Sequence, residues 1–150
     1  MTTVAVRRAN MADEAAAWDV VDEYNRSIGV VVADDAASFR AYLAGPSALW
    51  LAGDGEVIGC VAMRPLETAG PHAAEVKRLY VRPAHRGGGV ASALMDALEE
   101  GARESGYTEL YLDTKDDLTV AIRFYERRGY ERIPRYNDNP QATIFMRRVL

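Results

Sequence analysis

The stretch Glu75-Val76-Lys77-Arg78-Leu79-Tyr80-Val81-Arg82-Pro83, continued by Ala84-His85-Arg86-Gly87-Gly88-Gly89-Val90-Ala91, decides how this chain reads. Val76 to Val81 is an apolar strand that reaches Pro83. Three glycines follow, and an amphipathic helix starts at once. Glycines between a strand end and a helix start can expose a cluster of backbone N–H groups. With the positive end of the helix dipole they make an anion site. A phosphate-bearing ligand is therefore expected.

Downstream, the helix runs from Val90 to Glu104 with Val90, Leu94, Ala97 and Leu98 on one face, and Gly106 ends it. Glu109 to Asp113 alternates as a strand. Asp116 or Asp117 is the expected cap of a helix whose inward face is Leu118, Ala121, Ile122 and Tyr125, stopped by Gly129. Tyr130 to Ile133 and Ala142 to Val149 are strands around a polar loop, Pro134 to Pro140. Upstream, Thr3 to Arg8 is a short strand, and Asn10 caps a helix bearing Ala17, Val20, Val21 and Tyr24. A second helix is expected from Asp35 to Ala44. Ala48 to Ala52 and Glu56 to Arg64 form a hairpin around Gly53-Asp54-Gly55. The order β-α-α-β-β-β-α-β-α-β-β implies a mixed sheet covered by helices, an α/β or α+β domain.

The 150 residues are 49% hydrophobic and 27% charged, in the range of one globular domain, 1–150. The net charge of −4 argues against a dedicated nucleic-acid binder. Residues 1–60 carry nine acidic and four basic side chains, and residues 61–150 carry thirteen and fourteen. The acidic helices, with Asp13, Glu14, Asp19, Asp22, Glu23, Asp34 and Asp35, read as wet faces before they read as an amine lure. The single cysteine, Cys60, excludes an internal disulfide and reads as a buried strand residue. No stretch approaches a membrane span and no signal peptide is evident, so a cytoplasmic protein without a membrane partner is expected.

Residues Glu75 to Tyr130 resemble the GCN5-related N-acetyltransferase (GNAT) superfamily. Arg86-Gly87-Gly88-Gly89-Val90-Ala91 is similar to the family's acyl-CoA loop, which has Arg or Gln, two residues, Gly, one residue, then Gly or Ala. Glu75 to Pro83 is similar to its bulged central strand. Ala121-Ile122-Arg123-Phe124-Tyr125-Glu126-Arg127-Arg128-Gly129-Tyr130 is similar to its second signature. Many members carry Asn three residues before the position of Ala121, where this chain has Leu118. The resemblance implies a mixed central sheet flanked by helices, with splayed central strands.

It also implies roles. Arg86, Gly87, Gly88, Gly89, Val90 and Ala91 would hold the diphosphate of acetyl-CoA, the expected cosubstrate. The backbones of Leu79, Tyr80 and Val81 would pair with the pantetheine arm as a strand does. The amide of Leu79 is the candidate oxyanion donor. Tyr125 is the candidate general acid for the leaving thiolate, at a position a core aromatic would equally fill. Glu75 is the candidate general base, directly or through water; otherwise it is a solvated strand-end carboxylate or a partner of Lys77. His72 is a weaker base candidate and His85 a surface residue. No metal is implied, because the two histidines lack ligand spacing. The loop Tyr136-Asn137-Asp138-Asn139 is expected to close over the acceptor site.

The activity so implied is transfer of an acetyl group to a primary amine of a small molecule by direct attack in a ternary complex. Two alternatives stand beside it: acetylation of peptide or protein N-termini, and a catalytically silent acyl-CoA-binding module. A homodimer is expected by analogy alone.

Overall fold

A computed structural model describes residues 4–29 and 35–150; the start of the first expected strand at Thr3, and Asp34, lie outside them. Seven strands form one mixed sheet in the order β1-β2-β3-β4-β5-β7-β6. They are β1 (Val6–Arg8), β2 (Ala48–Ala52), β3 (Gly59–Pro65), β4 (Ala73–Val81), β5 (Glu109–Thr114), β6 (Glu131–Ile133) and β7 (Ile144–Val149). The helices are α1 (Glu14–Ser27), α2 (Ala36–Ala41), α3 (Val90–Glu104) and α4 (Thr119–Arg127). Pairing is antiparallel for β1–β2, β2–β3, β5–β7 and β6–β7 and parallel for β4–β5. The parallel ladder has three pairs, Ala73–Glu109, Ala74–Leu110 and Glu75–Tyr111. Among the described residues, no helix is long and apolar enough to cross a membrane.

The chain packs as two compact units. The first runs up to Arg64 and resumes over Val76–Gly101; the second is Pro65–Glu75 with Ala102–Leu150. In the first unit every residue of β2 is buried, because helices cover both its faces. Leu49 and Leu51 join Ala17, Val20, Val21 and Phe39 of α1 and α2 in one apolar cluster. Trp50 points the other way, to α3, where a Cβ on Gly101 would sit 2.6 Å from the indole. Only glycine lets that helix approach so closely. Gly59 serves the same end beneath the start of α3, since its Cβ would stand 3.2 Å from Leu94 Cδ1 and 3.3 Å from Val90 Cγ1. It also lets the Tyr80 carbonyl of β4 approach, at 2.7 Å from where the Cβ would stand.

In the second unit, strand alternation sorts the side chains of β5. Leu110 and Leu112 are buried on one face. Tyr111 and Asp113 lie on the other, beside Arg147 and Phe145, their cross-strand partners on β7.

Several boundaries differ from the sequence expectation. Helix α1 is preceded by a 3-10 turn, Met11–Asp13, and Asn10 caps that turn in a capping box with Asp13. Asp35 does cap α2, accepting from Ser38 N–H at 2.8 Å, but the helix ends at Ala41. The hairpin closes on the pair Ala52–Gly59, so residues 53–58 are loop and Glu56 is outside the strand. Neither Asp116 nor Asp117 caps α4. The helix begins at Thr119, and Leu118 stands at the cap position with 42% of its surface exposed rather than on the inward face.

Candidate active site

The candidate site residues fall in two clusters, one in each unit. In the first unit the segment from β4 into α3 is irregular where the sequence resemblance expects it. Arg78 has φ 60° in mid-strand, and its carbonyl accepts from the Cys60 thiol at 3.2 Å. A left-handed non-glycine residue in a strand costs about 1–2 kcal/mol and marks a bulge held by its surroundings. After Val81 the chain makes a 3-10 turn, Pro83–His85. Gly87 and Gly89 then adopt φ 84° and 82°, the left-handed region open to glycine. An added Cβ would meet nothing within 4 Å at either of them. The turn therefore leads open space up to the start of α3, whose first-turn N–H groups have no acceptor within the helix. Open space before the start of a helix is the arrangement that the expected anion site requires.

Arg86 does not extend into that space. Its Nε–H donates to the Val81 carbonyl at 2.9 Å, and its guanidinium lies 5.6 Å from the centre of the Tyr80 ring. The Tyr80 hydroxyl donates to Glu23 Oε2 at 2.7 Å. Burial, then the Glu23 hydrogen bond, pushes that phenol's pKa up, so Tyr80 is a neutral donor near pH 7. Leu79 and Val81 are half-buried. Cys60 is fully buried and its thiol is pushed up to about 12 by desolvation. It is a core residue, as read from the sequence, and not a thiolate.

In the second unit Glu75 is 1% exposed, which overturns the solvated strand-end alternative. Tyr136 O–H donates to Glu75 Oε2 at 2.6 Å, and Asn137 Nδ2 reaches the same oxygen at 3.3 Å. Asn137 Nδ2 also donates to Asp113 Oδ2 at 2.7 Å, and Asn139 Nδ2 approaches that oxygen at 3.3 Å. The loop between β6 and β7 is thus fastened over Glu75 and Asp113. Arg135 knots it from within, donating to the carbonyls of Asn137, Asn139 and Ala142 while stacked 4.6 Å from the Phe145 ring centre.

Asp113 is not among the site residues the sequence suggests, whereas Asn137 lies in the loop expected to close over the acceptor site. The alternation of β5 does place Asp113 opposite to Leu110 and Leu112, away from the apolar face. What meets it there depends on the path of a loop 24 residues further on.

Tyr125 is buried on α4, with ring centres of Phe124 and Tyr130 at 5.5 and 5.8 Å. His72 and His85 are exposed. The acidic residues of the first unit are largely engaged: Asp13 with Arg7, Glu14 with Arg40, Asp22 with Arg26. Among the described residues no group of three His, Cys, Asp or Glu side chains is placed to hold a metal ion.

A bulged strand running through a glycine turn into a long helix, within a mixed sheet of this order, defines the class of acyl-CoA-dependent acetyltransferases. The chain belongs to the acetyltransferase (GNAT) family, whose model matches residues 12–130. It is similar to the N-acetyltransferase YjgM of Escherichia coli K12, 31% identical over 137 residues, 85% of this chain and 82% of that one. A Schizosaccharomyces pombe N-acetyltransferase is 36% identical over 95 residues, 63% of this chain, and the chain spans only 57% of its length. Among solved structures, N-acetylglutamate synthase of Neisseria gonorrhoeae, complexed with coenzyme A and N-acetyl-glutamate, shares the fold. Its TM-score is 0.79 at 18% identity, covering all of this chain and 36% of that one.

Proposed function

We propose that this protein transfers the acetyl group of acetyl-CoA to a primary amine of a small molecule, an amino acid, a polyamine or similar, by direct attack in a ternary complex. The observation that carries the reading is the left-handed pair Gly87 and Gly89 between a bulged strand and α3, in a chain of this family. Bound there, acetyl-CoA supplies an activated thioester.

The chain's own residues would act as follows. Backbone N–H groups from Gly87 to Ala91 hold the diphosphate. The main chain of Leu79, Tyr80 and Val81 aligns the pantetheine arm as an added strand. Leu79 N–H, one residue past the bulge, donates to the carbonyl oxygen as negative charge develops on it. Glu75, directly or through water, takes the proton from the ammonium form of the acceptor, freeing the nitrogen lone pair to attack. As the C–S bond breaks, Tyr125 donates its phenolic proton to the departing thiolate. Glu75 and Asp113, bridged by the Asn137 amide, suit a cationic acceptor.

The test is thiol release from acetyl-CoA in the presence of two panels, one of free amines and amino acids, one of peptides with free N-termini. Release with free amines is expected. Release with peptides alone would assign the chain to N-terminal acetylation. Tight calorimetric binding of acetyl-CoA without turnover on either panel would make it a silent acyl-CoA-binding module.

A further inference from the structure

We propose that Tyr136 is a positioning residue for Glu75, acting through the hydrogen bond its hydroxyl donates to Glu75 Oε2 at 2.6 Å. The inference rests on the reading of Glu75 as the base and adds a residue to it. A carboxylate that takes a proton must present one oxygen in a fixed direction, and a small misplacement of a reacting group costs much of its effect. Glu75 sits on the backbone of β4 at the last pair of the parallel ladder, opposite Tyr111. Its backbone is therefore held, while its side chain retains its torsions unless something grips the head group.

Tyr136 and Asn137, both from the loop between β6 and β7, grip it. The phenol is the short, well-formed one; the amide of Asn137 is at 3.3 Å and is shared with Asp113, to which it is closer at 2.7 Å. Charge-assisted bonds from a hydroxyl to a carboxylate are short and about twice as strong as neutral ones. The donor is itself immobilised. The Tyr136 ring packs edge-on against Tyr111 at 5.3 Å and Phe145 at 5.5 Å. Tyr111 is also the residue paired with Glu75 across the ladder. The ring that orients the carboxylate is thus seated on the strand neighbour of the residue it orients.

The loop gains its shape from bonds independent of the phenol. Arg135 ties its carbonyls together, and the Asn137 side-chain oxygen accepts from Asn139 N–H at 3.0 Å. Removing only the hydroxyl therefore leaves ring packing and loop frame intact.

The experiment compares wild type, Tyr136→Phe and Glu75→Gln with acetyl-CoA and the fastest amine of the free-amine panel, or with water as acceptor where no amine turns over. Thermal unfolding is measured on all three. Tyr136→Phe is expected to lower kcat about 10-fold or more, with KM for acetyl-CoA near wild type and the unfolding midpoint lowered, because a buried carboxylate oxygen loses a donor. A merely structural tyrosine would shift the midpoint and leave kcat alone, and that outcome overturns the proposal. Wild-type kcat in Tyr136→Phe beside a crippled Glu75→Gln overturns it while sparing the base. Wild-type kcat in Glu75→Gln removes the base itself, and the positioning role with it.

Discussion

Arg86 Nε–H and the Val81 carbonyl are 2.9 Å apart, so the first residue of the glycine turn is bound back to the strand that precedes it. The guanidinium also rests on Tyr80, whose hydroxyl is bonded to Glu23 on α1. Arg86 in this arrangement orders the turn more than it presents charge. Tyr80 and Arg86 make a cation–π contact worth about 0.5–1 kcal/mol at an exposed site. The mutation Arg86→Ala is expected to raise Kd for acetyl-CoA only about 3- to 10-fold, a loss of the order of one ordinary hydrogen bond, with kcat unchanged. Calorimetric titration measures it, and a loss of binding of 1,000-fold or more would mean that the side chain grips the ligand directly.

Gly89 tests the expected anion site more severely. Its φ of 82° is disfavoured for any L side chain, and no atom lies within 4 Å of where a Cβ would stand. Gly89→Ala is therefore expected to destabilise by about 1–2 kcal/mol through backbone strain alone. Gly89→Glu adds a carboxylate where anionic oxygens are expected, so binding of acetyl-CoA should vanish while the fold survives. Circular dichroism and titration on the same sample separate the two effects. Retained affinity in the glutamate variant would place the phosphates elsewhere.

Local signals proved sufficient where one element determines itself. Helix α3 has the bounds Val90–Glu104 that its apolar spacing implies, and β2 has the bounds Ala48–Ala52. Long-range bonds decided the rest. Asp116 reads as a helix cap, but its N–H donates to Thr143 Oγ1 at 2.9 Å, and Leu118 N–H turns back to Lys115 O at 3.1 Å. The helix can begin only after that turn, which strips Leu118 from the inward face. Glu75 tells the same story at the site. Its position on a strand was legible, and its burial was not, because the groups covering it arrive 61 and 62 residues later. The glycine turn was legible because φ above zero is a property of single residues.

Cys60 gives a prediction with a pH axis. The buried thiol titrates near 12 against an ordinary 9.0. At pH 8 about one molecule in 10,000 then carries a thiolate. Iodoacetamide should leave the native protein unmodified at pH 8 and alkylate it fully in denaturant, as read by intact mass. The native state holds this proton more tightly than the unfolded one, so the residue's contribution is intact below pH 9 and is lost as the pH climbs toward 12. Rapid native alkylation would contradict the burial.

Tyr125 separates packing from chemistry within one side chain. Its ring makes edge-on contacts with Phe124 and Tyr130, and it is 9% exposed. Those contacts survive in Tyr125→Phe, so the unfolding midpoint should move by no more than about 4 °C, the shift that roughly 1 kcal/mol makes in a domain of this size. The lost hydroxyl removes the proton that would meet the departing thiolate. A thiol leaving group has a pKa near 8.5, so the uncatalysed departure is not hopeless and the loss is bounded. The expected result is a kcat lower by about 10-fold or more, in the range of acid–base groups, with KM for acetyl-CoA little changed. Because a better leaving group needs less help, the deficit should shrink with an acetyl thioester whose thiol is more acidic. A deficit equal for both thioesters would leave the hydroxyl a packing group and send the search for the acid to another residue.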